Sequence, residues 1–365
     1  MSTTIFQSPS KYIQGKDELN NIGKHVKTIG KKTLILSDDV VWNITGDTII
    51  RSLENEKVEY HYVEFKGEAS LSEINRVVEE GKTHNVDFVM GVGGGKTLDS
   101  AKAIADELEV GVVVVPTTAS TDAPTSALSV IYSDEGVFES YKFYNKNPDL
   151  VLIDTAVVAK APSRFFSSGI ADAMATWVEA RATIKSGGTT MAGGKPSIAA
   201  EAIAKKCEET LMNYGIPAYR AVEQGIVTKH VEAIVEANTL LSGLGFETGG
   251  LAGAHAIHNG FTVLEGDIHH LTHGEKVAYG TLVQLMLELH PEAELKKYIS
   301  FYRELNLPTT LKEMHLEDVT FKELVKVGEA ATQEGETMGN LSPDITPEDV
   351  ANAIVAVDQF STSMS

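Results

Sequence analysis

Cysteine is almost absent from this sequence: Cys207 is the only one in 365 residues, which excludes an intrachain disulfide and a thiolate metal cluster. A reducing, cytoplasmic setting is the expectation that follows. Basic residues are also scarce, 31 against 51 acidic ones, so a net charge near −20 repels a nucleic-acid backbone, and no local basic patch offsets it. No nucleic-acid partner is expected. Long apolar runs are missing too: nowhere do about 18 uncharged apolar residues follow one another, and Met1 to Gly15 lack the apolar stretch of a secretory signal. Membrane insertion is therefore not expected. What is present is a globular composition, 42% hydrophobic and 22% charged, in a chain long enough for two domains.

The first half alternates short β-branched runs with helical patterns, the signature of a parallel sheet with crossover helices. Thr33 to Ser37, Val58 to Phe65, Phe88 to Val92, Gly111 to Pro116 and Leu150 to Ile153 read as strands. Trp42 to Glu56 and Leu71 to Asn85 have apolar positions at helical spacing between them. From Pro162 onward Ala, Glu, Lys and Leu dominate at a period of 3.6, with helices expected over Ser197 to Tyr214, Lys229 to Gly243, Gly274 to Leu289, Ala293 to Leu305 and Thr346 to Phe360. The expected architecture is α/β, a Rossmann-like parallel-sheet domain over 1–161 that binds a dinucleotide, then an all-helical domain over 162–365 that binds metal and substrate.

Phe88-Val-Met-Gly-Val runs into Gly93-Gly94-Gly95, and Lys96-Thr97-Leu98-Asp99 opens a helix. Glycines let the main chain approach a diphosphate, and the exposed N–H groups of a new helix favour negative charge. Two familiar phosphate loops do not fit. A P-loop ending at Gly95-Lys96-Thr97 needs glycine at 90, where Met90 stands, and G-x-G-x-x-G read from Gly91 needs it at 96, where Lys96 stands. The loop is a diphosphate site of another pattern, or a tight turn.

A second polar loop, Pro116-Thr117-Thr118-Ala119-Ser120-Thr121-Asp122-Ala123-Pro124-Thr125-Ser126, follows the next strand. Hydroxyls so dense at a strand's C-terminal end suit a ligand crevice, or satisfy turn backbone. Asp38, or Asp39 beside it, can accept hydrogen bonds from ribose hydroxyls and would repel a 2′-phosphate, which favours NAD over NADP.

Five of the eleven histidines, His255, His258, His269, His270 and His273, fall in one short segment. Neutral imidazole is a common ligand for borderline divalent metals, although spacing alone does not choose among the five. Asp172 stands among small apolar residues on a helix, where a carboxylate needs a cation or donors unless it sits at the helix start.

Gly93-Gly-Gly-Lys-Thr-Leu-Asp, the Pro116 to Ser126 loop, Ser168-Gly-Ile-Ala-Asp-Ala and the His255 to His273 segment together resemble the metal-dependent alcohol dehydrogenases related to dehydroquinate synthase, in their glycerol dehydrogenase branch, over nearly the whole chain. The resemblance implies that Asp172, His255 and His273 bind the metal and act in catalysis with Asp122, and that Asp38 holds the adenosine ribose. It implies an NAD site at Gly94, Gly95, Lys96, Thr97, Thr117, Ser120, Ser126, Leu128 and Tyr132, with Asp122 and Phe246 at the polyol substrate, glycerol, beside His255 and His273. Iron-dependent relatives place a histidine four residues after the metal-binding aspartate. Here Thr176 stands at that position, and three protein ligands suit one tetrahedral zinc ion with an open place. A homo-oligomer, up to an octamer, is implied as well. The competing readings are a lyase like dehydroquinate synthase, which should gather Lys and Arg near the metal, and a non-catalytic nucleotide-binding metalloprotein.

Overall fold

The computed structural model describes residues 3–364. It contains two compact units. One comprises Gln7–Ser163 with Ala221–Gly243, and the other Arg164–Arg220 with Leu244–Ser365 and the start of the chain up to Phe6.

The first unit is built on a six-stranded parallel sheet: β1 (Tyr12–Gly15), β2 (Lys32–Ser37), β3 (Glu59–Glu64), β4 (Phe88–Gly93) and β5 (Gly111–Pro116), with β8 (Leu150–Asp154) entering later in the chain. Between β5 and β8 lies a separate antiparallel hairpin of β6 (Leu128–Tyr132) and β7 (Phe138–Phe143). The order β1-β8-β5-β4-β2-β3 places β2 and β4 side by side although β3 lies between them in the chain, so the order in which parallel strands are added reverses there. Such a switch point opens a crevice at the carboxyl ends of the strands. β4 and β5 are nearly continuous apolar runs because helices cover both faces of a parallel sheet, and Ile35, Met90, Val113 and Leu152 from four strands meet in one core cluster. The crossover helix Asp39–Asn55 starts under the Asp38 carboxylate, which accepts the Val41 N–H at 3.0 Å.

The second unit is helical, with Ser163–Ser186, Ile198–Val222, Gly253–Phe261, His273–Leu287, Glu292–Glu304, Phe321–Ala331 and Pro347–Ser363 as its main helices. No helix among the described residues is long and apolar enough to cross a membrane.

The structure differs from the sequence expectation in several places. β1 was not expected, and its parallel pairing with β8 comes from the polar-looking start of the chain. The β6–β7 hairpin was not expected either. The expected helix over Lys229 to Gly243 is interrupted by a π-helical turn at Ala237–Leu241, before the helix Ser242–Gly249. The two compact units also exchange a segment, with 221–243 siding with the sheet. Hydrogen bonds explain that exchange: Gln14 donates to Glu232 Oε2 at 2.7 Å, Thr155 donates to Glu232 Oε1 at 2.6 Å, and Asn238 donates to the Ala119 carbonyl at 2.9 Å. At the other end of the chain, the Lys195 N–H reaches the Thr3 carbonyl at 2.8 Å, which ties the first described residues to the helical unit.

Candidate functional site

Three helices of the helical unit each supply one side chain to a common point. Asp172 lies inside Ser163–Ser186, not at its start, and is 1% exposed. His255 is in the first turn of Gly253–Phe261, and His273 opens His273–Leu287. Two glycines of that last helix make the approach possible: a Cβ on Gly274 would lie 1.9 Å from the Ser168 carbonyl oxygen, and one on Gly280 would lie 2.5 Å from that of Ala254. The helix of His273 therefore presses against both the helix of Asp172 and the helix of His255. His273 Nε2 lies 3.1 Å and His255 Nε2 lies 3.3 Å from the same oxygen, Asp172 Oδ1, and the three donor atoms lie within 4.8 Å of one another. Ligand atoms about 2.0–2.2 Å from a tetrahedral ion stand roughly 3.3 Å apart, so this donor set fits a divalent cation.

The surrounding side chains orient and charge the triad. Glu179, fully buried on the helix of Asp172, accepts His255 Nδ1–H at 2.6 Å, which turns Nε2 towards Asp172. A carboxylate that accepts the far ring N–H in this way fixes the tautomer of a metal-binding histidine. Burial alone would raise the Asp172 carboxyl, but the His273 and His255 imidazoles outweigh it and hold the group far below the usual carboxylate range. Burial alone would lower His255, yet the Glu179 and Asp172 carboxylates raise it well above the ordinary imidazole range. At the start of the next helix, Thr272 and Glu275 form a capping box, and Arg164 grips both Glu275 oxygens at 2.7 Å. Arg164 belongs to the helix that carries Asp172, so this clamp joins it to the helix that begins with His273.

The remaining clustered histidines divide. His258 packs edge-on to His273 at 4.3 Å between ring centres, and desolvation, followed by the positive charges of His273 and Lys276, holds it well below the ordinary imidazole range. His269 bonds to the Leu264 carbonyl at 2.6 Å, and His270 is exposed near Asp267.

In the sheet unit, Asp38 and the glycine turn stand at the carboxyl ends of β2 and β4, on either side of the switch point. Gly94 precedes the helix Gly95–Glu107 with no side-chain cap, and a Cβ there would meet nothing within 4 Å. That open approach to uncapped N–H groups suits a diphosphate. Thr97 is buried beside Gly93, and the Thr117 N–H donates to the Gly93 carbonyl at 3.1 Å. Lys96 pairs with Glu68 at 2.5 Å and lies 5.3 Å from the centre of the Tyr132 ring, while Ser120 and Thr118 share a 3.0 Å hydrogen bond. The Ser126 hydroxyl is buried and donates to the Ala123 carbonyl at 3.2 Å. Asp122, 8% exposed, accepts the Ser242 hydroxyl at 2.7 Å. Phe246 is buried in the helical unit.

A model of the family described as iron-containing alcohol dehydrogenase matches residues 9–155. The chain is 48% identical to a glycerol dehydrogenase of Citrobacter freundii over 97% of both chains, and 46% identical to a glycolaldehyde reductase of Halobacterium salinarum over 98% of both. The crystal structure of a glycerol dehydrogenase from Schizosaccharomyces pombe superposes with a TM-score of 0.96 at 45% identity, covering 100% of this chain and 92% of the other. The chain belongs to the glycerol dehydrogenase family of alcohol dehydrogenases.

Sequence reasoning passed over several residues that shape the site in this family member. Glu179 lies seven residues after Asp172 on one helix, and two turns of spacing on a shared face was the available signal. Lys102 is buried at 3% exposure; it pairs with Asp99 at 2.9 Å and donates to the Leu128 carbonyl at 2.5 Å and the Ala123 carbonyl at 3.0 Å, so it holds the end of the hydroxyl loop against its helix. Arg164 and Ser242 gave no signal, because their partners are far away in sequence, whereas Glu275 carried one in the Thr272-x-x-Glu275 spacing of its capping box.

Proposed function

We propose that this chain oxidises glycerol to dihydroxyacetone, and reduces the ketone back, with NAD as coenzyme and one zinc ion per subunit held by Asp172, His255 and His273. The convergence of that triad on one point, with Glu179 behind it, carries the reading. Zinc is preferred over iron because Thr176 occupies the place one helical turn after Asp172, leaving three protein donors. When bound, zinc supplies Lewis acidity that lowers the pKa of an alcohol, and NAD supplies the hydride acceptor.

The chain's own residues then have distinct tasks. Glu179 keeps the proton on His255 Nδ1 and so leaves Nε2 as the ligating atom. Gly94, Gly95, Lys96 and Thr97 take the diphosphate, Asp38 takes the adenosine ribose, and Thr117, Ser120, Ser126, Leu128 and Tyr132 line the coenzyme. Asp122, oriented by Ser242, accepts a hydrogen bond from a second hydroxyl of the substrate, which a monohydric alcohol lacks. Phe246 flanks the polyol.

Chelation should abolish NADH formation from glycerol, and added zinc should restore it; full turnover in a sample verified free of metal would overturn the proposal. Net NADH formation also separates this reading from a lyase that uses NAD only transiently, and from a non-catalytic metalloprotein. The likeness to a glycolaldehyde reductase favours a second carbonyl substrate, so the assay belongs on a panel that includes glycolaldehyde. A soluble, cytoplasmic homo-oligomer, up to an octamer, completes the proposal, and light scattering after gel filtration measures the assembly.

A further inference from the structure

A second group of metal-binding side chains converges in the sheet unit, apart from the triad and from the glycine turn. β3 forms one edge of the sheet and presents His61, and the helix Leu71–His84 presents Glu80 and His84 one turn apart on one face. Glu80 Oε2 lies 3.2 Å from His61 Nε2 and 3.7 Å from His84 Nε2, and the three donor atoms lie within 4.8 Å of one another. The two imidazoles stack with ring centres 3.5 Å apart and planes 19° from parallel.

We propose that His61, Glu80 and His84 form a second divalent-cation site, one that takes a borderline transition ion of the zinc type. The separations of 3.2 and 3.7 Å bracket the roughly 3.3 Å expected between neighbouring ligands of a tetrahedral ion. Two neutral imidazoles and one carboxylate are the donors such an ion selects, whereas calcium and magnesium demand a shell of oxygens. All three side chains are partly exposed, at 27%, 44% and 36%, so a hydrated ion can enter and solvent can complete its shell. Strand and helix already hold the donors together, which removes most of the ordering cost of binding. An ion here cross-links the edge strand of the sheet to its crossover helix.

Equilibrium dialysis of the full chain against Zn2+, followed by metal counting, tests this. The wild-type chain is expected to bind one more ion than His61→Gln/His84→Gln, with the same activity and the same far-ultraviolet circular dichroism. The difference of one ion is expected to persist when both chains also carry Asp172→Asn, so the outcome is independent of how the triad is loaded. Glu80→Gln replaces a charged donor by a neutral amide and should weaken the extra ion. Equal counts in the wild-type and double-variant chains overturn the proposal. If the double variant loses its fold, His84→Gln alone makes the same comparison.

Discussion

Glu179 Oε2 accepts the Nδ1–H of His255 at 2.6 Å, while its Oε1 accepts the backbone N–H groups of Ala252 and His255, both at 2.9 Å. One buried carboxylate thus fixes both the start of a helix and the tautomer of the histidine within it. Glu179→Gln offers an amide of the same size, whose N–H would face Nδ1 and move the imidazole proton to Nε2, where it blocks ligation. Metal affinity should fall by about 10–100-fold, with a smaller change in melting temperature. An unchanged zinc affinity in equilibrium dialysis would remove the orienting role.

The same pair sets how metal loading depends on pH. In the metal-free chain the carboxylates of Glu179 and Asp172 raise His255 well above the ordinary imidazole range, so the imidazole holds a proton there at neutral pH. A metal takes only the neutral ring, and loading must displace that proton. Protons compete with the ion, so affinity should rise as pH rises, by about tenfold per unit for one displaced proton. Chelator competition at several pH values measures the slope; a flat profile contradicts it.

How far the sequence carried this picture depended on the range of each interaction. The strands β2, β4 and β5 and their crossover helices were readable because a parallel sheet writes its apolar runs and its periodicity locally. β1 was not, since four residues with polar neighbours become a strand only through pairing with β8. The π turn at Ala237–Leu241 was invisible for a related reason: Asn238 and Thr239 bond outside their own helix, to the Ala119 carbonyl and to Tyr12. Among the five clustered histidines, only the resemblance selected His255 and His273, because the selection is made by Asp172, some eighty or more residues earlier. The Arg164–Glu275 clamp, 111 residues apart, had no local trace at all.

Gly274 tests the packing behind the triad. A methyl group there meets the Ser168 carbonyl at 1.9 Å, and backbone cannot swing aside as a flexible side chain can. Gly274→Ala should therefore cost at least about 1–3 kcal/mol, as overpacked cores do, and should weaken zinc binding because His273 is displaced with its helix. Gly339→Ala, where nothing lies within 4 Å, is the control and should melt with the wild type. Equal melting temperatures for all three chains would contradict the close approach.

Gly94 separates folding from coenzyme binding. Its φ of −86° is open to any residue and a Cβ there meets nothing within 4 Å, so Gly94→Ala should fold and melt normally. A diphosphate resting on the N–H groups after Gly94 would meet the added methyl. The dissociation constant for NADH, read by fluorescence, should rise about tenfold, equivalent to roughly 1.4 kcal/mol. Unchanged affinity would place the diphosphate elsewhere.

Asp122 reports on substrate choice. Its Oδ2 accepts the Ser242 hydroxyl at 2.7 Å, and that bond fixes the carboxylate in the loop after β5. A charged acceptor bonded to a neutral hydroxyl is worth about 1.5–3 kcal/mol, so Asp122→Ala should raise KM for glycerol by about tenfold or more while leaving KM for a monohydric alcohol nearly unchanged. Ser242→Ala loosens the carboxylate without removing it and should shift the same ratio in the same direction, by less. Equal increases for both alcohols in Asp122→Ala would mean that the residue shapes its loop and touches no second hydroxyl.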